Sequence, residues 1–418
     1  MINVQSRGIA SLVLGVASLI VAQSGSVRGD EPKPPTSRGP NGAAAPAENV
    51  AKALAEAWPD RPEWLDMYTD ILSGSQLGPN DGWFRRSVSQ TRFDWKASQK
   101  RFDRNGDNVI SRAEFHGTDA DFERLDRDHN TIVTQADFDF SPHALTNSFG
   151  SMMFHSMDRD GNGKVTREEV DAFFTKNDSG GMDFLSLADT QQAFDGPRAA
   201  RPAPTGGDAA ALARAAAGPS KETLIRGLFR QEIGSLQPGP MLGDTVTDFT
   251  LKTNDAEKEI TLSKLMGSKP VVLVFGNFTC GPFRMQAGNI EKLYRRYSDR
   301  ANFVMVYVRE AHPIDGWQME SNDTVGVHLA QPKTYEERVS VAQTCGERLA
   351  LGLPMLVDTM DDSVGARYSG MPSRLYLIDT VGKVAYKSAR GPFGFKPAEL
   401  EHSLLLMLQQ DSKTLTER

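Results

Sequence analysis

Three windows of twelve residues in this chain repeat one spacing: an oxygen-bearing side chain at positions 1, 3 and 5, and a carboxylate at position 12. The first runs through Asp103, Asn105, Asp107 and Glu114, with the backbone carbonyl of Val109 at position 7. The second uses Asp126, Asp128, Asn130, the Ile132 carbonyl and Asp137, and the third Asp158, Asp160, Asn162, the Lys164 carbonyl and Glu169. Hard oxygen donors so spaced suit a Ca²⁺ ion, and Asn108 or Gly163 at position 6 permits the turn because both tolerate positive φ. Aliphatic Ile110 and Val165 at position 8 can pair loops through a short β contact. The second window is weaker, with Thr131 at the turn and Asp137 one methylene shorter than Glu. A fourth, Asp178 to Asp189, has Gly180 and Met182 at positions 3 and 5 and Leu185 at position 8, and is expected to pair without metal. Starts at 103, 126, 158 and 178 make two close pairs.

This repeat resembles the EF-hand family, which implies helices flanking each loop and an all-α module. Calcium is expected to be chiefly structural, since extracellular hands bind at roughly 10⁻⁴–10⁻³ M and stay filled there.

Around the repeat the chain divides by composition. Arg7 precedes an apolar run from Gly8 to Ala22, too short for the roughly 20 residues that span a bilayer, and Ala22-Gln-Ser24 fits a small-x-small cleavage site. Residues 1–24 therefore read as a signal peptide, the mature chain as exported, and no transmembrane span is expected in it. Residues 25–50 and 196–220, rich in Pro, Gly, Ala and Ser, read as linkers around a middle module, 51–195, and a C-terminal module, 221–411. The long linker gives no reason to expect tight coupling between calcium and thiol chemistry. In the middle module Trp58, Trp64, Trp83 and Phe84 are expected to seat the first loop. With 47 basic against 54 acidic residues the chain lacks the charge of a nucleic-acid binder, and two cysteines, Cys280 and Cys345, allow at most one bridge.

The C-terminal module alternates apolar runs with amphipathic segments. Val271–Gly276 and Phe303–Val308 read as buried parallel strands, separated by a helix to about Ser298. A helix at 334–351, a short strand at 355–358, a hairpin of 374–378 with 384–386 and a last helix at 397–410 complete the thioredoxin order β-α-β-α-β-β-α. Cys280-Gly281-Pro282-Phe283, at the first strand–helix junction, looks like the thioredoxin Cys-Gly-Pro-Cys with its second cysteine replaced. Free backbone N–H groups and the helix dipole favour a thiolate there, open to solvent and ionised at neutral pH. Parallel strands bring Glu310 and His312 to the same sheet edge, with Arg374 at the start of the antiparallel strand. Pro372 occupies the place of the thioredoxin cis-proline. His312, oriented by Glu310, is a candidate proton donor; Arg374 could hold an anionic group and Asn277 could hydrogen-bond the sulfur. Cys345 could resolve an oxidised Cys280, although burial on its helix is the simpler role.

Val274-Phe275-Gly276, Thr279-Cys280-Gly-Pro-Phe283, Tyr307-Val-Arg-Glu310-Ala-His312-Pro-Ile-Asp315-Gly316-Trp317, Arg374-Leu-Tyr376 and Arg390-Gly-Pro392 resemble the iodothyronine deiodinases over most of 240–400. The resemblance implies that Cys280 stands where the family has selenocysteine, which attacks the iodine of a thyroid hormone. It also implies that Tyr307, Glu310 and His312 form the proton-supplying network and that Arg374 holds the substrate. Phe278 replaces a cysteine of the family, and Pro332 a second histidine of some members. The expected molecule is multidomain, an all-α EF-hand module plus an α/β thioredoxin-like fold. Its Cys280 would attack a soft electrophile (carbon-bound iodine, a peroxide or a disulfide) and be regenerated by an external thiol reductant. The alternative is a calcium-dependent protein-interaction partner whose redoxin fold is passive.

Overall fold

A computed structural model describes residues 61–77, 88–141, 165–181 and 219–416, with isolated positions between them. The signal peptide and first linker, residues 196–218, Trp83, Phe84 and Asp158–Lys164 lie outside the described residues.

In chain order the helices are α1 (Glu63–Leu72), α2 (Trp95–Phe102), α3 (Asp119–Leu125), α4 (Arg167–Asn177), α5 (Lys221–Phe229), α6 (Gly281–Tyr297), α7 (Glu320–Thr324), α8 (Tyr335–Arg348), α9 (Ser363–Arg367) and α10 (Pro397–Thr416). The strands are β1 (Gln90–Thr91), β2 (Ile110–Ser111), β3 (Ile132–Val133), β4 (Thr250–Thr253), β5 (Glu259–Thr261), β6 (Val271–Gly276), β7 (Asn302–Tyr307), β8 (Met355–Val357), β9 (Arg374–Ile378) and β10 (Val384–Lys387). Eight form one sheet in the order β1-β10-β9-β6-β7-β8-β4-β5. Its middle is the expected redoxin arrangement. β6 and β7 are parallel, Val271 opposite Asn302 through Gly276 opposite Tyr307, and β9 lies antiparallel to β6 with Arg374 opposite Phe275. Every residue of β6 is buried, which explains its unbroken apolar run.

Two parts of the sheet were not expected. The β4–β5 hairpin extends the β8 side, its burial alternating strictly along Thr250–Thr253. β1 belongs in sequence to the middle module yet pairs antiparallel with β10, Thr91 opposite Tyr386. Around it Ser89 donates to Glu399 at 2.6 Å and Arg92 pairs with Asp379 at 2.8 Å. Farther on, Arg101 donates to the Gln409 carbonyl at 2.6 Å, and Arg300 pairs with Asp121 at 3.2 Å. Phe102, Phe115, Phe122 and Val133 share one hydrophobic core with the sheet. The first loop pair is therefore docked on the redoxin sheet.

The paired-loop expectation holds for that pair, Ile110 facing Val133 and Ser111 facing Ile132. The aromatic lead-in is a correction. Trp58 and Trp64 pack in a separate cluster of α1 and α5 (Leu65, Ile71, Leu224, Leu228) that also receives Trp317, so they brace the redoxin edge and not the first loop.

Candidate functional site

β6 ends in Asn277-Phe278-Thr279-Cys280, and Cys280 is the N-cap of α6. Pro282 in the first turn loses no hydrogen bond, because those N–H groups have no helical partner. Phe283, in place of a second cysteine, is buried against Phe395 (ring centroids 5.7 Å apart) and Gly276. A Cβ on Gly276 would lie 2.4 Å from the Phe283 ring, so the glycine makes room for it.

The sulfur itself departs from expectation. Cys280 is 0% exposed, and burial pushes its thiol up to about 11. The Phe283 N–H, the Ser373 hydroxyl and Arg284 favour the thiolate, but desolvation outweighs them. A thiol open to solvent and ionised at neutral pH is corrected to a buried, protonated one. Neither Ser373 nor Arg284 was singled out from the sequence, where a serine after a proline and a helical arginine carry no signal.

Polar groups behind the sulfur form a dense network. The Asn277 side-chain oxygen accepts from the backbone N–H of Cys280 (3.0 Å) and of Ala311 (3.2 Å), and from the Thr279 hydroxyl (3.2 Å). Its amide donates to the Pro372 carbonyl at 2.9 Å, next to a cis Met371–Pro372 bond. Asn277 thus positions the cysteine backbone; the expected bond to the sulfur is replaced by this role. Glu310 accepts the Thr279 N–H at 2.8 Å and the Tyr307 hydroxyl, which in turn accepts the Phe278 N–H at 3.1 Å. Burial raises the Glu310 carboxyl despite these bonds.

His312 is held otherwise than expected. Its ring meets the Trp317 carbonyl through Nδ1 at 3.1 Å and stands edge-on to the Trp317 ring, 4.7 Å between centroids. Trp317, not Glu310, orients the imidazole. Burial lowers His312 to about 4, so the ring is neutral at pH 7. With the acceptor at Nδ1, the proton is assigned there and Nε2 is the basic nitrogen. A 40 Å³ cavity beside it is lined by Met67 and Leu77 from the lead-in and by Ala311, Pro372 and Pro392.

In the loops, the position-12 carboxylates make one recurring clasp. Glu114 accepts the N–H of Arg104 (3.0 Å) and of Ser111 (2.9 Å), and Asp137 those of Arg127 and Thr134 (both 2.7 Å). The shorter Asp137 therefore closes its loop as Glu114 does. Glu169 holds Thr166 in the same way at 2.9 Å. Asn108 and Thr131 at position 6 both take positive φ, 64° and 74°. Among the described residues, Asp126, Asp128 and Asp137 bring carboxylate oxygens within 4.8 Å of one another. Three like charges so close are mutually repelled unless a cation sits among them, and the oxygen-only donor set fits Ca²⁺.

Residues 246–407 match the family model described as iodothyronine deiodinase. This segment is a deiodinase-family domain. Residues 100–116 and 151–174 match the EF hand model, so EF-hand motifs precede it. Type I iodothyronine deiodinase of Xenopus laevis is 34% identical over 136 residues, 32% of this chain and 52% of that protein. Human thyroxine 5-deiodinase is 33% identical over 139 residues, 33% of this chain and 44% of that protein. The chain spans about half the length of the curated relatives it matches. A solved peroxidoxin from Mycobacterium tuberculosis aligns with 40% of this chain and 97% of its own at 20% identity, TM-score 0.29. The redoxin assignment rests on the strand order above.

Within the deiodinase-family domain, two residues read as functional take other places. Arg374 is 0% exposed, and its guanidinium donates to the carbonyls of Ser369 (2.8 Å) and Ser388 (3.0 Å) and to Glu63 (3.0 Å). Its substrate-holding role is corrected to a structural one: the charge is answered from inside the chain. Arg390 donates to the same Glu63 oxygen at 3.0 Å. Cys345 is buried on α8 and forms no disulfide, as does Cys280, which agrees with the simpler role.

Proposed function

We propose that this chain is an exported, calcium-binding thiol oxidoreductase in which Cys280 attacks a soft electrophile, carbon-bound iodine first. The observation that carries this reading is a single cysteine at the strand–helix junction of a deiodinase-family domain, whose neighbour Thr279 accepts the backbone N–H of His312 at 3.0 Å. A protonated thiol and a neutral histidine define the order of events. His312 Nε2 takes the Cys280 proton as substrate binds. The sulfur then bonds iodine as the carbon–iodine bond breaks, and the imidazolium returns the proton to carbon. Carbon is reduced and sulfur oxidised, leaving a C–H product and a sulfenyl iodide. One external thiol displaces iodide to form a mixed disulfide, and a second releases Cys280 as thiol and leaves with the first as a disulfide. With a peroxide the same thiol would give an alcohol and a sulfenic acid, cleared by the same two thiols with loss of water. Phe283 blocks local closure of a disulfide, which is why the reductant must come from outside.

The test compares iodide release from an aryl iodide, and peroxide consumption, by the intact protein and Cys280→Ser with dithiothreitol present. Loss of at least about a thousandfold in the variant is expected for removal of a covalent nucleophile; equal rates would refute the enzymatic reading. The complete burial of Cys280 favours a second reading, a calcium-dependent interaction protein with a passive redoxin fold. It predicts no effect of Cys280→Ser and a calcium-dependent change in oligomer size.

Asp103, Asn105, Asp107, the Val109 carbonyl and Glu114 would hold one Ca²⁺. A second would lie among Asp126, Asp128, Asn130, the Ile132 carbonyl and Asp137, and a third in the loop ending at Glu169. The ion would supply charge neutralisation and loop rigidity. Because the first pair shares the redoxin core, chelation is expected to lower the melting temperature of the whole unit. Calcium at a hundred times its dissociation constant contributes about 2.7 kcal/mol per site, and a melting curve indifferent to EGTA would rule this out. Export predicts a mature amino terminus after Ser24, readable by intact mass. No helix among the described residues is long and apolar enough to cross a membrane.

A further inference from the structure

The cavity of about 40 Å³ beside His312 has walls from two sources. Ala311, Pro372 and Pro392 belong to loops at one edge of the redoxin sheet, whereas Met67, Leu77 and Ile233 are carried in by the α1–α5 cluster. The edge loops tie the cavity to the cysteine turn. Ala311 donates its N–H to the same Asn277 oxygen that accepts the Cys280 N–H (3.2 and 3.0 Å), and Asn277 donates to the Pro372 carbonyl at 2.9 Å. On the other side Arg390, next in the chain to the wall residue Gly391, donates to the Met67 sulfur at 3.5 Å.

Size limits what can enter. At about 10–15 Å³ for each water, the cavity has room for about three, the bulk of roughly one aromatic ring. Its walls are suited to such a ring, being thioether, aliphatic and proline carbon with the Trp317 indole.

Charge narrows the ligand further. His312 is neutral, and Glu232 is the one charged side chain among the lining residues, with no lysine or arginine. Glu232 is 37% exposed and 3.9 Å from Arg230, which places it at the rim. The nearby arginines offer an anion nothing, because Arg374 and Arg390 are buried and both end on Glu63. A carboxylate taken into this cavity would lose its water, meet no cation and face Glu232, whereas an uncharged ring has no such cost.

We infer that this cavity receives one uncharged aryl ring, with Met67 and Leu77 setting its size and Glu232 turning anions away. The inference rests on the thiol chemistry proposed above, and it narrows the substrate to single-ring aryl iodides without a carboxylate.

Isothermal titration of the full-length protein, without reductant, compares 4-iodobenzyl alcohol with 4-iodophenylacetate. The alcohol should bind one to one and about tenfold or more tightly than the acetate, whose carboxylate would be desolvated without a partner. Glu232→Lys should reverse that order by putting a cation at the rim. In protein labelled with ¹³C at the methionine methyls, the Met67 resonance, assigned by its loss in Met67→Leu, should shift on adding the alcohol as the aryl ring current reaches it. Equal affinity for the two probes, no binding of the alcohol, an unchanged order in Glu232→Lys, or binding that leaves the Met67 resonance unmoved would overturn the assignment. Iodide release with dithiothreitol present separates the pocket from the chemistry. Binding with these signatures but without iodide release would support the pocket and refute the deiodinating step; release at equal kcat/KM from both probes would refute the pocket and leave the step standing.

Discussion

Iodoacetamide at pH 7 is expected to leave Cys280 almost untouched, and its alkylation should accelerate about tenfold with each pH unit until the thiol titrates. The species that is alkylated is the thiolate, and a thiol pushed up to about 11 by burial is ionised to roughly one part in ten thousand at neutral pH. Between pH 7 and pH 10 the rate should therefore rise about a thousandfold. A plateau already reached at pH 7 would mean that the helix terminus, and not desolvation, governs the sulfur. Substrate-like aryl iodides should flatten the profile if His312 removes the proton as they bind.

The other large effect belongs to Glu63. Burial alone would raise its carboxyl, but Arg374, then Arg390 and Lys387, pull it down to about 2. One carboxylate from α1 thus answers two arginines that are 0% and 1% exposed at the side chain. Glu63→Gln removes that charge and leaves both guanidiniums buried. Breaking such a pair costs about 3–5 kcal/mol, and the partial exposure of Glu63 places this case near the lower end, about 3 kcal/mol. Urea unfolding should show the midpoint falling by that equivalent. The pH dependence follows by linkage. A carboxyl lowered in the folded state contributes stability that is complete above its unfolded value, near 4.5, and is lost as pH falls toward 2. Wild type should weaken through that acid window while Glu63→Gln, already deprived, changes less. Parallel curves would show that the arginines are satisfied elsewhere.

The sequence carries the central strands, the helices and the loop spacing because each depends on neighbours a few positions away. Val271–Gly276 is apolar without a break since both of its faces are covered, and Asp103 to Glu114 spells out its own turn. What could not be read depends on distant partners. Nothing around Gln90 announces pairing with Lys387, nearly three hundred residues on. Cys280 sits in the sequence context of a reactive thiol, but its acidity is set by the packing of residues from several strands and loops. Arg374 was legible as a charge near the site; that Glu63 answers it from another part of the chain was not.

The two-residue strand β1 has a consequence larger than its length. It covers the Tyr386–Lys387 end of the outer rim of β10, where N–H and C=O groups would otherwise be bare, and an unprotected strand rim invites pairing with a neighbouring molecule. A truncated chain starting at residue 221 would lose that guard, so the deiodinase-family half expressed by itself is expected to self-associate and precipitate, however complete its catalytic residues.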